Sequence, residues 1–339
     1  MTSSPEFNFL LSSDRSGSNL LLKLINAHPD FCAPPTSQLF PALSKHLSRY
    51  GELKDDTNWR NLVEDMCQLH RAGYGTWKNY GHTETLINHV KPRSLANLLK
   101  SIYRAESRTF EKPRLFIKLH KAYEYADFLI ENFPDAKYVH LVRDPRDMAL
   151  SWKKTPGLRG GCVRAADIWQ TEQNGIIEFR QIISSQTLQV RYEDILSDAK
   201  SSLKRICIFM GIQYTEDMHQ FYLDSNTRND AQSINAWKNL ANPINTNNSG
   251  KYKTELSQEE IRYIELKCAT AMKEHQYQFS DSFNTRNQNI DSLRKTLQPM
   301  ELWEKKIYAL LPEEERNAHR RLSEAIHKIK NRRFELQIK

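Results

Sequence analysis

Three short clusters hold residue types that can bind an anion or move a proton. The first is Ser12-Ser13-Asp14-Arg15-Ser16-Gly17-Ser18, which sets a guanidinium and a carboxylate among four hydroxyls. A guanidinium beside hydroxyls suits a phosphate or a sulfate. The second is Lys118-Leu119-His120. Strand alternation would put Lys118 and His120 on one face. A buried strand carries such a pair only where it meets a cavity or a charge, and His can take a proton near neutral pH. A polar strand end at the surface would carry the same residues. The third is Arg143-Asp144-Pro145-Arg146-Asp147, with Ser151 eight positions after Arg143. An Arg at a strand end and a Ser on the next helix could share one phosphate. An Arg–Asp ion-pair network opening a helix is the other reading of this cluster.

The elements around these clusters alternate. Residues 7–11 are apolar apart from Asn8 and read as a buried strand. The Ser-rich run is loop chemistry, and Leu20, Leu21, Leu24 and Ile25 then share one helical face. A helix that starts just after a polar loop aims unpaired N–H groups and its positive dipole end into that loop. Further strands are expected at 114–119, 137–142 and 187–191. Helices are expected at 123–132, from Pro145 to about 154, at 165–184 and at 199–210. Strands alternating with helices imply a parallel α/β sheet flanked by helices, with ligands at the carboxyl ends of its strands. Arg15, His120, Arg143 and Tyr192 each fall at or just past such an end. Residues 31–41 read as a loop and 42–112 as an irregular helical insert. Residues 224–258 read as a long polar loop. Ser257 and Glu260 form a capping box for a helix to about 275. Residues 283–339 change character into a helical C-terminal extension, closing on Lys328, Lys330, Arg332 and Arg333. That extension could dock on its own domain, pair with a second subunit or hold a partner protein.

Composition narrows the classes. The 339 residues, 39% hydrophobic, suffice for one large domain or two smaller ones. No apolar run approaches the roughly 18 residues of a membrane span, and residues 1–6 are too short and polar for a signal peptide. The five Cys are scattered without C-x-x-C spacing, which argues against zinc or a disulfide framework and for a reducing, cytoplasmic setting. A net charge of +8 suits an anionic ligand, or non-specific nucleic-acid binding. The first loop lacks the G-x-x-x-x-G-K-[ST] pattern of triphosphatases, since only Gly17 is present and no Lys follows it.

Taken in order, the motifs resemble the sulfotransferases that use 3′-phosphoadenosine 5′-phosphosulfate (PAPS). Residues 12–21 resemble the 5′-phosphosulfate loop, and Arg143 through Ser151 the 3′-phosphate site. Arg191-Tyr192-Glu193-Asp194 is similar to the segment whose Tyr contacts the adenine. Ser249-Gly250-Lys251-Tyr252 resembles the segment that closes over the 3′-phosphate. The likeness covers about residues 6–275 and implies a P-loop-like sulfotransferase domain over 1–282, with a substrate-shaping insert at about 32–112. Lys118-Leu119-His120 resembles the Lys-Thr-His strand end of the aryl and steroid enzymes, except at Leu119. The Glu base of the tyrosylprotein enzymes has no counterpart in Ala33-Pro34-Pro35-Thr36.

The resemblance implies a division of labour. Arg15 and Lys118 would serve the transferring sulfuryl group, with His120 as general base. Ser13, Asp14, Arg15, Ser16, Gly17, Ser18, Asn19, Arg143, Ser151, Tyr192, Ser249, Gly250 and Lys251 would hold PAPS and its product PAP. No metal site is expected. The acceptor would be a hydroxyl on a small molecule, carbohydrate, lipid or carrier-bound intermediate. A magnesium-dependent P-loop-type kinase, with Asp144 as the metal carboxylate, and a basic nucleic-acid-binding protein are the competing readings. The basic residues are spread through the chain rather than gathered in a stripe, so no nucleic-acid partner is expected.

Overall fold

Five apolar segments pair into one parallel sheet. The computed structural model describes residues 6–332, apart from 74, 76, 282, 284–288, 298–305 and 307. Arg333, expected near the close of the last helix, lies outside the described residues, as do parts of the expected extension 283–339. Strands β1 (Phe7–Ser12), β2 (Phe31–Cys32), β3 (Arg114–Leu119), β4 (Lys137–Val142) and β5 (Thr187–Arg191) run in the order β2-β3-β1-β4-β5. Every pairing is parallel. β1 is buried along its whole length, as a central strand covered on both faces must be. Its polar residue, Asn8, donates from Nδ2 to the Leu115 carbonyl at 3.3 Å.

Alternation along β1 divides the core. Leu10 faces helix α1 (Ser18–Asn26), where Leu21, Leu24 and Ile25 are fully buried with Phe116 and Val139. Phe9 and Leu11 face the insert, whose main helices are α2 (Asp56–Arg71) and α3 (Leu95–Thr109). Asp55 and Ser94 cap these helices, accepting from the amides of Asn58 and Asn97. Helices α4 (Pro145–Lys153), α5 (Gly161–Ile182) and α6 (Gln258–Glu274) form a third apolar cluster around Met148, Trp169, Ile264 and Cys268. Pro145 stands at the start of α4, and both bonds of the Ser257/Glu260 capping box are made at α6.

Two expected loops are not loops. The stretch 31–41 contributes β2 and the helix Leu39–Ser44; a strand of two residues has no period to show. The stretch 224–258 holds the helices Ser225–Ser233 and Tyr252–Glu255, with a 3₁₀ turn at Asn235–Ala241 between them. The helix Ser225–Ser233 is polar in sequence and is fastened by a buried ion pair, Lys23 Nζ to Asp230 Oδ2 at 2.7 Å. Helix α5 starts four residues earlier than expected, at Gly161.

Helix α7 (Glu313–Asn331) lies on the insert. Its Ala325 and Ile329 are buried in the same cluster as Phe9 and Leu11, with Leu322 and Ile326 packed against them. Below it, the carboxylate of Asp65 accepts from Tyr50 Oη at 2.9 Å and Arg332 Nε at 2.6 Å, and pairs with Lys328 Nζ at 3.0 Å. Ile329→Ala should therefore cost about 2–4 kcal/mol. Urea unfolding with an unchanged slope would measure it, and a loss near zero would show that α7 adds nothing to the core.

Candidate active site

Strand register fixes where the site forms. Leu11 pairs with Leu119 on one side of β1, and Ser12 with Leu141 on the other. The loop 13–17 therefore leaves the sheet between the ends of β3 and β4. Lys118 and His120 flank it on one side and Arg143 on the other. The sheet branches at this point, with β3 and β2 to one side of β1 and β4 and β5 to the other, the crevice where such sheets bind ligands.

The loop turns on two left-handed residues. Gly17, at φ +86°, precedes α1, and a Cβ there would fall 2.3 Å from the Tyr192 ring. Arg15, at φ +63°, carries a side chain in a conformation that costs about 1–2 kcal/mol. Its carbonyl accepts from Arg143 Nη1 at 3.0 Å, and its own Nε donates to Ser151 Oγ at 3.1 Å. Arg143 also donates from Nη2 to the Asn248 carbonyl at 3.0 Å, and its guanidinium lies 4.6 Å over the Tyr192 ring. Asn248 Nδ2 donates to Tyr192 Oη at 2.9 Å, and Lys251 Nζ to Asn248 Oδ1 at 3.0 Å. Asp147 fastens this segment, accepting from the amides of Gly250 and Tyr252. Ser249 sits between these anchors, half-buried.

This flank carries more positive charge than it answers. Burial lowers the pKa of Arg15; Asp14 opposes that shift and the neighbouring Arg143 adds to it. Ser12 Oγ, Ser16 Oγ and Arg143 Nε are buried without a hydrogen-bond partner among the described residues. No side chain caps the first turn of α1, where Ser18 is buried and Asn19 half-buried. Uncapped amides, a helix dipole and two guanidinium groups together favour an anion.

The opposite flank is balanced. Lys118 is buried, and its Nζ stands 3.4 Å from Asp14 Oδ1. His120 Nδ1 stands 3.6 Å from the same oxygen, with 20% of its side chain exposed. Burial, and then the charge of Lys118, lower the His120 pKa to about 4, so the imidazole is neutral at pH 7. Partial burial works against the Asp14 charge, but Lys118 and His120 outweigh it and bring its pKa to about 2.

Glu172 belongs to this group and carries no signal in the sequence. A Glu on a long helix reads as a solvated residue, yet here α5 packs it, buried, beside the loop. Burial, then repulsion from Asp14, raise its pKa to about 7, although the Ser13 hydroxyl and Lys121 pull the other way. Its neighbour Gln173 donates from Nε2 to Ser13 Oγ at 2.8 Å, and Gln173 Oε1 lies 2.9 Å from His140 Nε2. With the amide nitrogen turned to Ser13, Oε1 accepts from His140, and His140 Nδ1 faces Arg180 Nη1 at 3.4 Å. His140 is thus a fully buried support beneath the loop. His28 bonds the Asp30 amide and the Gln213 carbonyl and staples the turn after α1.

The ion-pair network that was the other reading of the third cluster is present at the start of α4, around Arg146. Asp144 accepts from Arg146 Nε at 2.9 Å and Nη2 at 2.7 Å, while Arg146 Nη1 reaches the buried Glu265 at 2.6 Å. Asp144 is fully occupied there, and Arg143 is left to face the loop. Two further carboxylates are tied up elsewhere, and of these Glu84 pairs with Arg60 on the surface. Glu193 accepts from the Asp144 amide and from Tyr277 Oη, both at 2.9 Å.

A branched parallel sheet with a loop that feeds an uncapped helix defines a P-loop-like α/β fold. Residues 9–216 match the Sulfotransferase family, and the chain belongs to that family. The fold is shared with the sulfotransferase domain of the Synechococcus PCC 7002 olefin synthase, at TM-score 0.58 and 22% identity over 82% of this chain and 97% of that one. It is shared too with the sulfotransferase domain from the curacin biosynthetic pathway, at TM-score 0.55 and 18% identity over 81% and 99%. No curated protein matches the chain significantly. No helix among the described residues is long and apolar enough to cross a membrane.

Glu172 makes stability pH-dependent in a defined direction. Its folded pKa of about 7 lies above the ordinary 4.5, so its protonated form is the one the fold prefers. That contribution is complete below about pH 4.5 and is lost as pH rises through 7. Glu172→Gln should therefore gain on the wild type between pH 5 and pH 8, by roughly 3 kcal/mol at most. Thermal unfolding at the two pH values tests this; an equal difference at both would place Glu172 in water.

Proposed function

We propose that the chain transfers a sulfuryl group from PAPS to a hydroxyl acceptor, with His120 as the general base. The observation that carries this reading is the division of one loop into two flanks. One has unanswered positive charge, and the other a neutral imidazole beside a lysine. The buried orphan atoms Ser16 Oγ and Arg143 Nε, with the uncapped turn of α1, fit a phosphorylated nucleotide. Arg143, Ser151, Arg15 and Lys251 would hold its phosphates, Ser13, Asp14, Ser16, Gly17, Ser18 and Asn19 would form its loop, and Tyr192 would meet the adenine. Ser249 and Gly250 belong to the segment that would close over it.

When bound, PAPS supplies an activated sulfuryl group. Its transfer is served by position and electrostatics, as phosphoryl transfer is. Lys118 keeps an ammonium beside the loop, where negative charge gathers. His120 is neutral and keeps a fifth of its side chain exposed, as a residue that takes the acceptor's proton must be neutral and reachable. The kinase reading is the weaker one, because Asp144 is spent on Arg146 and no Lys follows Gly17.

PAP should bind and raise the melting temperature by linkage. Arg143→Ala should weaken PAP binding tenfold or more, since a buried phosphate loses a charged donor. Calorimetry would decide, and tighter binding of magnesium-ATP than of PAP would favour the kinase instead.

His120→Ala should cut sulfate transfer by about 10²-fold or more and leave PAP affinity nearly unchanged. The acid limb of kcat/KM in the wild type should fall near pH 4, well below the ordinary histidine range. Turnover by His120→Ala at the wild-type rate would move the base elsewhere.

A further inference from the structure

Asp14 is out of place for a residue whose only task is to hold phosphate. The loop amides and the start of α1 attract anions, and a carboxylate among them repels one. Its contacts lie elsewhere. Asp14 Oδ1 faces Lys118 Nζ at 3.4 Å and His120 Nδ1 at 3.6 Å. The two nitrogens of an imidazole point apart, so with Nδ1 turned to Asp14, Nε2 is turned away from it. We propose that Asp14 is a positioning residue, which keeps the His120 proton on Nδ1, leaves Nε2 bare to take the acceptor's proton, and steadies the imidazolium that results.

The charges around His120 show why it needs such a partner. Burial, and then the charges of Lys118 and Lys121, oppose a second proton on the ring. Asp14 is the anion that opposes them. Glu172 and Arg15 face Asp14 in turn. Glu172 is only partly ionised at neutral pH, and Asp14 is the carboxylate that stands beside the ring to answer the imidazolium. A carboxylate that fixes a tautomer and stabilises the ion formed is a general device for histidine bases. The proton account closes. The acceptor hydroxyl gives its proton to Nε2 as its oxygen bonds to sulfur. The bond from sulfur to the donor's phosphate oxygen breaks and leaves its electron pair on that oxygen. The imidazolium then returns its proton to solvent.

This proposal rests on the reading of His120 as base, and the test separates the two. Asp14→Asn and His120→Ala are assayed together for sulfate transfer, with PAP affinity measured by calorimetry. Asp14→Asn should lower kcat by about 10²-fold while the acceptor KM stays within a few-fold. Its PAP affinity should be unchanged or tighter, because a negative charge has left an anion site. Tenfold weaker PAP binding would make Asp14 part of the nucleotide grip and overturn the proposal. So would wild-type kcat in Asp14→Asn alongside a strong loss in His120→Ala, with the base reading intact. If His120→Ala kept wild-type turnover, the base reading would fall and take the proposal with it. A second measurement needs no Asp14 variant. In ¹⁵N spectra of the wild type, with His120 assigned by difference from His120→Ala, the ring should carry its proton on Nδ1. An Nε2-protonated ring would overturn the proposal whether or not Asp14→Asn folds.

Discussion

A tyrosine ring resting on a glycine holds this site together. Gly17 has no Cβ, and the Tyr192 ring occupies the space where one would be. That contact lets the end of β5 close on the loop after β1. The ring then supports the Arg143 guanidinium on its face, and the guanidinium joins the carbonyls of Arg15 and Asn248. Four separate parts of the chain meet through one aromatic side chain. Any side chain at position 17 would push the ring away, besides forcing a left-handed conformation on a residue that resists it.

The charged groups follow from the same packing. Where a buried charge has a partner in the fold, it serves the frame. Arg146 between Asp144 and Glu265 joins α4 to α6, and Lys23 with Asp230 joins α1 to the helix Ser225–Ser233. Such pairs repay their desolvation only when well matched. Around the loop the match is left incomplete on the Arg15–Arg143 side, which is the condition for drawing in an anion. On the Lys118–His120 side Asp14 stands beside both side chains, while burial and the charge of Lys118 keep the imidazole neutral.

Much of this was legible in the sequence, for physical reasons that also explain the exceptions. β1, β3 and β4 are apolar runs that only a buried strand would carry, and Lys118 and His120 stood out because polar residues rarely end such a run. Pro145 and the Ser257/Glu260 box marked helix starts through local chemistry alone. β2 was hidden because two residues show no alternation. The helix Ser225–Ser233 was hidden because its support is tertiary: Asp230 is polar in sequence and buried only because Lys23 lies opposite. Glu172 was illegible for the same reason, since nothing local distinguishes a buried glutamate from a solvated one. The apolar stripe of α7 could be read, but not Asp65, the buried acid on α2 to which its end is tied.

That tie has a consequence for the order in which the molecule is made. Asp65 sits in the insert, and two of its cationic partners, Lys328 and Arg332, lie more than 260 residues later in the chain. At ordinary rates of synthesis they leave the ribosome on the order of tens of seconds after Asp65 does. Until then the acid has, among the described residues, only the Tyr50 hydroxyl, too little to offset burial of a charge. The insert must therefore wait with that surface open to water. The last turns of α7 close it, so the insert is among the last parts of the protein to be finished.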